Sequence, residues 1–407
     1  MHQAIPEIGG EAPSSGYSNS HPITTSPLLS YPISNPFLLL IKPPIALQNT
    51  EFKSITETMD TNYPILDSHI HLFPASELTT LAWAQPSNPL YKQHSLEEYT
   101  AATAPASSSL EGFIFLETDR INDLAAGEKD GSGWTHPLQE VSWLKRIALG
   151  LPREGEGHTQ EHAKLCKAIV PWAPVPSGAE VLERYVERVR EEAGEAWEKV
   201  RGFRFLVQDK AKGTMLGEKF IEGVKWLGRK GFVFDLGVDL HSGGRWQLKE
   251  AAEMMERVHD GVSEEEKVTV VINHLCKPDF SIYNTQTDPS FLAWRTAMFK
   301  LSKFSKTYMK LSGCFSEMPN TLRNGPIDDI VMALQPYLAV LLATFGSFRI
   351  MFGSDWPVCT VGVGDGAWGK WREVVARFCD LASLSKEDQI MIWSGTAIKA
   401  YGIKELI

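Results

Sequence analysis

Eight short apolar runs recur between Pro64 and Asp355, and they limit the possible folds more than any other feature of the chain. They cover residues 64–71, 112–117, 168–174, 200–206, 232–238, 268–274, 307–312 and 349–355. Several are almost unbroken, as in Val268-Thr-Val-Val-Ile272, which is how strands buried on both faces of a parallel sheet read. The segments between them carry helical spacing: Val181, Tyr185 and Val189; Phe220, Val224 and Leu227; Leu248, Ala252 and Met255; Phe291, Trp294, Met298 and Leu301. Repeated strand-then-helix units predict an α/β fold, a closed parallel (β/α)8 TIM barrel. An open doubly wound sheet is the alternative, and it is disfavoured because no glycine-rich phosphate turn follows the first run. Two connections are long, 72–111 after the first strand and 118–167 after the second. The second holds an amphipathic helix near 137–147 and a charged glycine-rich stretch at 151–157. Insertions after a strand fall on the catalytic face of this architecture, so both are candidate lids. Ser385-Lys-Glu-Asp388 reads as a capping box that opens a last helix running through Tyr401.

Residues 1–60 have a different composition. Between Gly9 and Pro44 they are Ser, Pro, Thr and Asn with almost no charge, which predicts a disordered low-complexity tail ahead of a 61–407 barrel. Its one apolar run, Phe37-Leu-Leu-Leu-Ile41, is too short to span a bilayer and follows no basic segment. The tail also lacks the arginines of a mitochondrial transit peptide. Translation from Met59 instead of Met1 is an equally consistent reading. The 407 residues carry a net charge of −10, from 40 basic and 50 acidic side chains, with no basic cluster. Neither nucleic acid nor an anionic membrane is therefore an expected partner; a small-molecule substrate is, and the oligomeric state stays open. The five cysteines are odd in number and show no C-x-x-C, which predicts a reduced, cytoplasmic protein without a thiolate zinc site.

The chemistry-bearing residues sit where strands stop. In the first run, strand alternation puts Asp67, His69 and His71 on one side, and His69-x-His71 offers two imidazoles to one spot. Such a pair suits a first-row metal ion bound at about 2 Å. Arg204 lies near the end of the fourth run, and His274 ends the sixth and Asp355 the eighth. Taken singly each is ordinary: H-x-H arises by chance, a lone histidine packs in a core, an aspartate caps a helix. Together they place four metal-competent groups on three strand ends of one barrel.

These residues resemble the motifs of the amidohydrolase superfamily, in particular the amidohydrolase-related branch that includes lactonases of the L-rhamnono- and L-fucono-lactonase type. The resemblance is carried by Ile65-Leu-Asp-Ser-His-Ile-His71, Val200-Arg-Gly-Phe-Arg204, Ile272-Asn-His-Leu-Cys-Lys-Pro278, Lys310-Leu-Ser-Gly313 and Met351-Phe-Gly-Ser-Asp-Trp-Pro357. It implies that His69, His71, His274 and Asp355 take the metal and proton-transfer positions and that Arg204 faces the substrate. The chain departs from many superfamily members in having Arg201 and Arg204 on strand four instead of a carbamylated lysine, and no histidine closing strand five. A two-metal centre is accordingly disfavoured. One divalent ion, zinc by donor type, is expected, although some lactonases of this branch need none. His241, a few residues past strand five, reads as a solvated loop residue.

For a cyclic ester the set is coherent. A divalent ion would polarise the carbonyl or acidify water. Asp355 would move the proton from water to the leaving hydroxyl, with His274 as a second catalytic group. Arg204, with Arg201 as a further candidate, would bind substrate oxygens or the oxyanion. Trp172, Trp356 and Tyr283 are the aromatic candidates for the walls of a sugar-ring site. Three functions are weighed: opening of a sugar-acid lactone, decarboxylation by a lyase of the same fold, and metabolite binding without catalysis. The missing strand-five histidine counts against the second, and the complete polar set counts against the third.

Overall fold

The computed structural model describes residues 63–404. The expected disordered tail lies outside them. Each apolar run overlaps one strand, β2 and β3 starting two residues before their runs: β1 Ile65–Ile70, β2 Leu110–Leu116, β3 Cys166–Val170, β4 Gly202–Arg204, β5 Val233–Leu236, β6 Thr269–Ile272, β7 Thr307–Leu311 and β8 Ile350–Phe352. Pairing is parallel throughout, in two sheets ordered β1-β2-β3 and β4-β5-β6-β7-β8. Isolated parallel bridges cross both seams, Ile169 to Val200 and Trp172 to Arg204 at one, Ile70 to Trp356 at the other.

The period-two alternation of the strands sorts their side chains into two cores. Ile114, Leu116, Val271, Tyr308 and Met351 gather on one face with Ala397, Ala400 and Tyr401 of the last helix, Thr396–Tyr401. Their neighbours Phe113, Phe115, Met309, Leu311, Ile350 and Phe352 face the other way, into a larger core shared with the connecting helices. Those helices, Ala179–Ala193, Glu218–Arg229, Arg245–His259 and Pro289–Leu301, bury residues whose spacing predicted them, including Tyr185, Val189, Phe220, Val224, Leu248, Met255, Trp294 and Met298, while Val181 stays partly exposed and Leu182 is buried beside it. Each such fully buried side chain contributes about 1.5–3 kcal/mol. The helix Ile327–Phe345 is long and apolar enough to cross a bilayer by length and composition, and its Ile330, Leu334, Tyr337, Leu338 and Leu341 are buried.

The two long excursions are largely structured. The first contains the helix Leu96–Thr103, capped by a Ser95–Glu98 box, and the second contains the helices Leu124–Asp130 and Thr135–Leu149. The glycine-rich stretch is tethered, since Arg146 pairs with Glu156 at 2.5 Å and Ser95 Oγ donates to the Glu156 carbonyl at 2.7 Å. Ser385 and Asp388 form the expected box at the start of Lys386–Ile390.

Candidate active site

The seam between β1 and the segment after β8 assembles the centre. His69 lies within β1 and His71 just past it; Asp355 follows β8. The Asp355 amide donates to the His69 carbonyl at 2.9 Å and the His71 amide donates to the Trp356 carbonyl at 2.7 Å, so backbone pairing sets the carboxylate against both imidazoles. Asp67 leaves this set. The β1 register shifts between Asp67 and Ile70, and the Asp67 carboxylate accepts from Trp368 Nε1 at 2.8 Å, Tyr99 Oη at 3.1 Å and the Ser354 amide at 2.8 Å. It is a buried tie between β1 and its neighbours, not a cavity group.

His274 reaches the centre through an unusual backbone. His274, Leu275, Cys276 and Lys277 have φ of 53°, 55°, 61° and 48°, a left-handed turn costing about 1–2 kcal/mol per residue. Trp294 Nε1 donates to the Leu275 carbonyl at 2.7 Å, and the Leu240 and His241 amides donate to the Cys276 and Lys277 carbonyls at 3.1 and 3.0 Å. Asp355, at φ 61°, shares this conformation. Backbone held in such sparsely populated regions clusters at functional sites. Gly313, at φ +63°, is required beside the His274 ring: a Cβ there would lie 2.3 Å from His274 Nδ1.

At the centre, Asp355 Oδ1 lies 3.5 Å from His69 Nε2, 3.5 Å from His71 Nε2 and 3.7 Å from His274 Nε2. His69 Nε2 and His71 Nε2 are 3.1 Å apart. Donor atoms of His69, His274 and Asp355 all lie within 4.8 Å of one another. Ligands held tetrahedrally at about 2.1 Å from one ion are separated by about 3.4 Å, so these spacings fit a single metal. The donor chemistry agrees for His71: its Nδ1–H donates to the Glu117 carbonyl at 2.9 Å, leaving a lone pair on Nε2 aimed at a carboxylate oxygen. His274 Nδ1 meets Ser312 Oγ at 2.9 Å, an outer contact of the kind metal-bound histidines use. His69 differs, because its Nδ1 faces the Lys310 Nζ at 3.4 Å.

Burial dominates the protonation states. It drives His274 down to about 3 and His69 well below the ordinary imidazole value, aided at His69 by the Lys310 charge, so both are neutral near pH 7. Burial alone would raise Asp355, but His274 and His71 beside it hold the carboxyl below its usual value, and it is ionised. Glu117 is pushed up to about 7 by burial despite Arg204, whose Nε lies 3.4 Å from Glu117 Oε1. Lys310 is lowered to about 8 by burial against the pull of Asp235, and it remains largely cationic at neutral pH.

A cavity of about 350 Å3 opens over this centre, lined by His71, Glu117, Arg204, His274, Lys277 and Asp355 among others. The long excursions contribute Phe73, Trp83 and Leu90 from the first, Thr118 and Asp119 from the second. Four expected substrate contacts are elsewhere. Arg201 precedes β4 and lines a cleft with Lys230, Thr269 and Tyr401, because a strand of this length separates it from Arg204 at the other end. Trp172 is buried against Tyr185 and Phe205 and borders a neighbouring cavity. Trp356 is buried edge-on against His94 and Tyr99, leaving Pro357 and Val358 to face the cavity. Tyr283 is fully exposed on a loop. His241 is not simply solvated, since its Nδ1 lies 2.9 Å from Glu317 Oε2. Glu117 and Lys277 went unassigned from sequence, although Glu117 ends an apolar run and Lys277 lies in the motif around His274.

The Amidohydrolase family model matches residues 150–403. The chain is 33% identical over 348 residues to the L-rhamnono-gamma-lactonase of Scheffersomyces stipitis, covering 84% of this chain and 100% of that protein. It is 29% identical over 279 residues to the L-fucono-1,5-lactonase of Burkholderia multivorans, covering 66% and 85%. A crystal structure of an amidohydrolase from Burkholderia multivorans with bound zinc superposes with a TM-score of 0.61 at 24% identity, over 84% of this chain and 99% of that one. That likeness establishes the same TIM-barrel type of fold. With a family match over more than half its length and a relative covered end to end, the chain belongs to the amidohydrolase family.

Proposed function

We propose that the protein is a lactonase that opens a small, neutral sugar-acid lactone. The observation that carries this is the convergence of His69, His71, His274 and Asp355 beneath a cavity whose other polar groups are of mixed sign. Glu117, Asp119, Asp209 and Asp355 are set against Arg204 and Lys277. Such a lining recognises hydroxyl groups, whereas a dicarboxylate or benzoate would need a surplus of cations. Both lactonase relatives act on sugar lactones by name, which supports the same assignment.

Asp355, ionised and held low, takes a proton from the attacking water and returns it to the leaving hydroxyl as the ring opens. Arg204, buried with its Nε 3.4 Å from Glu117 Oε1, and Lys277 line the cavity where a developing oxyanion can be stabilised. The donor set fits one divalent ion, zinc by ligand type and by the Burkholderia amidohydrolase, with the donor atoms of His69, His274 and Asp355 gathered within 4.8 Å and His71, its Nε2 3.5 Å from Asp355 Oδ1, beside them. When bound it would supply polarisation of the carbonyl and a more acidic water. The bridges across both seams support one closed (β/α)8 barrel. Five buried, free cysteines support a cytoplasmic location.

Purified protein incubated with a panel of aldonolactones at constant pH should release acid in proportion to enzyme. Release of carbon dioxide from hydroxybenzoates without acid release from any lactone would replace this reading with the lyase.

A further inference from the structure

Beneath His69 lies a buried charged group with no role in the reaction described above. Lys310, on β7, is fully buried. Its Nζ donates to Asp235 Oδ1 at 2.7 Å, stands 5.4 Å from the centre of the Tyr401 ring, and lies 3.4 Å from His69 Nδ1. Asp235 is equally buried, and its Oδ2 accepts from Tyr401 Oη at 2.7 Å. Tyr401 belongs to the last helix, so this helix, β5 and β7 jointly fix one ammonium under one imidazole. Packing gives no reason for a charge here, since replacing a buried ion pair by apolar groups is often neutral or stabilising.

An ammonium has three donors and no acceptor. Facing it, His69 Nδ1 must accept, and the ring proton is left on Nε2. The next contact fits that polarity. His69 Nε2 is 3.1 Å from His71 Nε2, which is an acceptor because the His71 proton is committed on Nδ1 to the Glu117 carbonyl. The bonds then run in one direction, from Lys310 through His69 and His71 to Glu117. We propose that Lys310, held by Asp235 and Tyr401, is a positioning residue that locks His69 in the tautomer with its proton on Nε2. In the metal-free protein His69 is thereby a hydrogen-bond donor to His71, and not a preformed ligand. A divalent ion taking His69 Nε2 must displace that proton, and Nδ1 cannot receive it while Lys310 donates there. Lys310 therefore weakens metal binding at a site whose other donors favour it. This deepens the lactonase reading but rests only on the site's geometry.

Two measurements test it, and neither uses a lactone. In the metal-free wild type, 15N spectra of labelled histidine, with the His69 signals assigned from their loss in His69→Gln, should show Nε2 protonated and Nδ1 bare. A protonated Nδ1 would overturn the proposal, and this test needs no variant that alters Lys310. In Lys310→Met/Asp235→Asn, where the amide oxygen still accepts from Tyr401 and no lone charge is left buried, the Nδ1-protonated tautomer should appear. Calorimetric titration of that metal-free variant with zinc should give at least tenfold tighter binding than wild type. Zinc binding that is unchanged or weaker means that Lys310 supports the metal or is merely structural, and the proposal fails.

Discussion

Replacing Gly313 by alanine tests whether the placement of the His274 ring governs turnover. The added methyl would sit 2.3 Å from His274 Nδ1, 2.6 Å from Cγ and 3.0 Å from Cε1, against an ordinary contact of 3.4 Å or more. Relief requires the ring to move by about 1 Å, which breaks the 2.9 Å contact to Ser312 Oγ and swings Nε2 away from Asp355. A misplacement of about 1 Å is enough to cost roughly 100-fold in rate. Alanine at φ +63° adds strain of about 1–2 kcal/mol, which by itself lowers stability without touching chemistry. Gly213 separates the two effects, because it is also left-handed (φ 93°, ψ −12°) and a Cβ there meets nothing within 4 Å. Lactone hydrolysis followed at constant pH, beside thermal melts, should show both variants losing a few degrees of Tm but only Gly313→Ala losing about 100-fold in kcat. Equal activities in the two variants would refute the reasoning, since the clash with His274 is the only local difference between them that bears on the site.

Asp355→Asn keeps an oxygen in place but removes the base, so kcat should drop about 100-fold or more while KM stays within a few-fold, as steady-state kinetics will show. Glu117 carries a carboxyl raised to about 7 by burial, so folding takes up a proton between its ordinary value and that point. The stability that Glu117 contributes is therefore fully present below about pH 4.5 and lost as pH rises through 7, and the stability difference between wild type and Glu117→Gln in denaturant titrations should change in that sense across the window. A chain shortened to Met59–Ile407 should fold and keep full specific activity, because the segment removed is poor in apolar residues; an insoluble or inactive product would contradict this.

Much of the fold could be read from local pattern because burial imposes it residue by residue. A run such as Val268–Ile272 is apolar on both faces because both faces are covered, and Phe220, Val224 and Leu227 are spaced as a helix needs to bury one side. The seams were less accessible. Whether the β1 end meets the segment after β8 depends on the bonds from the His71 amide to the Trp356 carbonyl and from the Asp355 amide to the His69 carbonyl, partners nearly three hundred positions apart with no shared local signal.

The candidate site divides along the same line. That His69, His71, Arg204, His274 and Asp355 lie at or near strand ends was determined by the sequence, since each falls at or within two residues of the end of an apolar run, and strand ends on one face of a parallel barrel are neighbours. Which aromatic rings face the cavity was not, because Trp172, Trp356 and Tyr283 are chemically suitable and only packing turns the first two into the core and leaves the third in solvent. Arg201 and Arg204 look interchangeable in a motif, yet they lie towards opposite ends of β4. The Lys310–Asp235–Tyr401 group shows most plainly what tertiary structure alone decided. Its members lie on β7, β5 and the last helix, each inside an apolar stretch where a polar residue reads as an exception, and only their burial within hydrogen-bonding distance makes one unit under His69. A hydrogen bond is decided over a few tenths of an ångström, and spacing along the chain carries no information at that scale once its partners come from different elements.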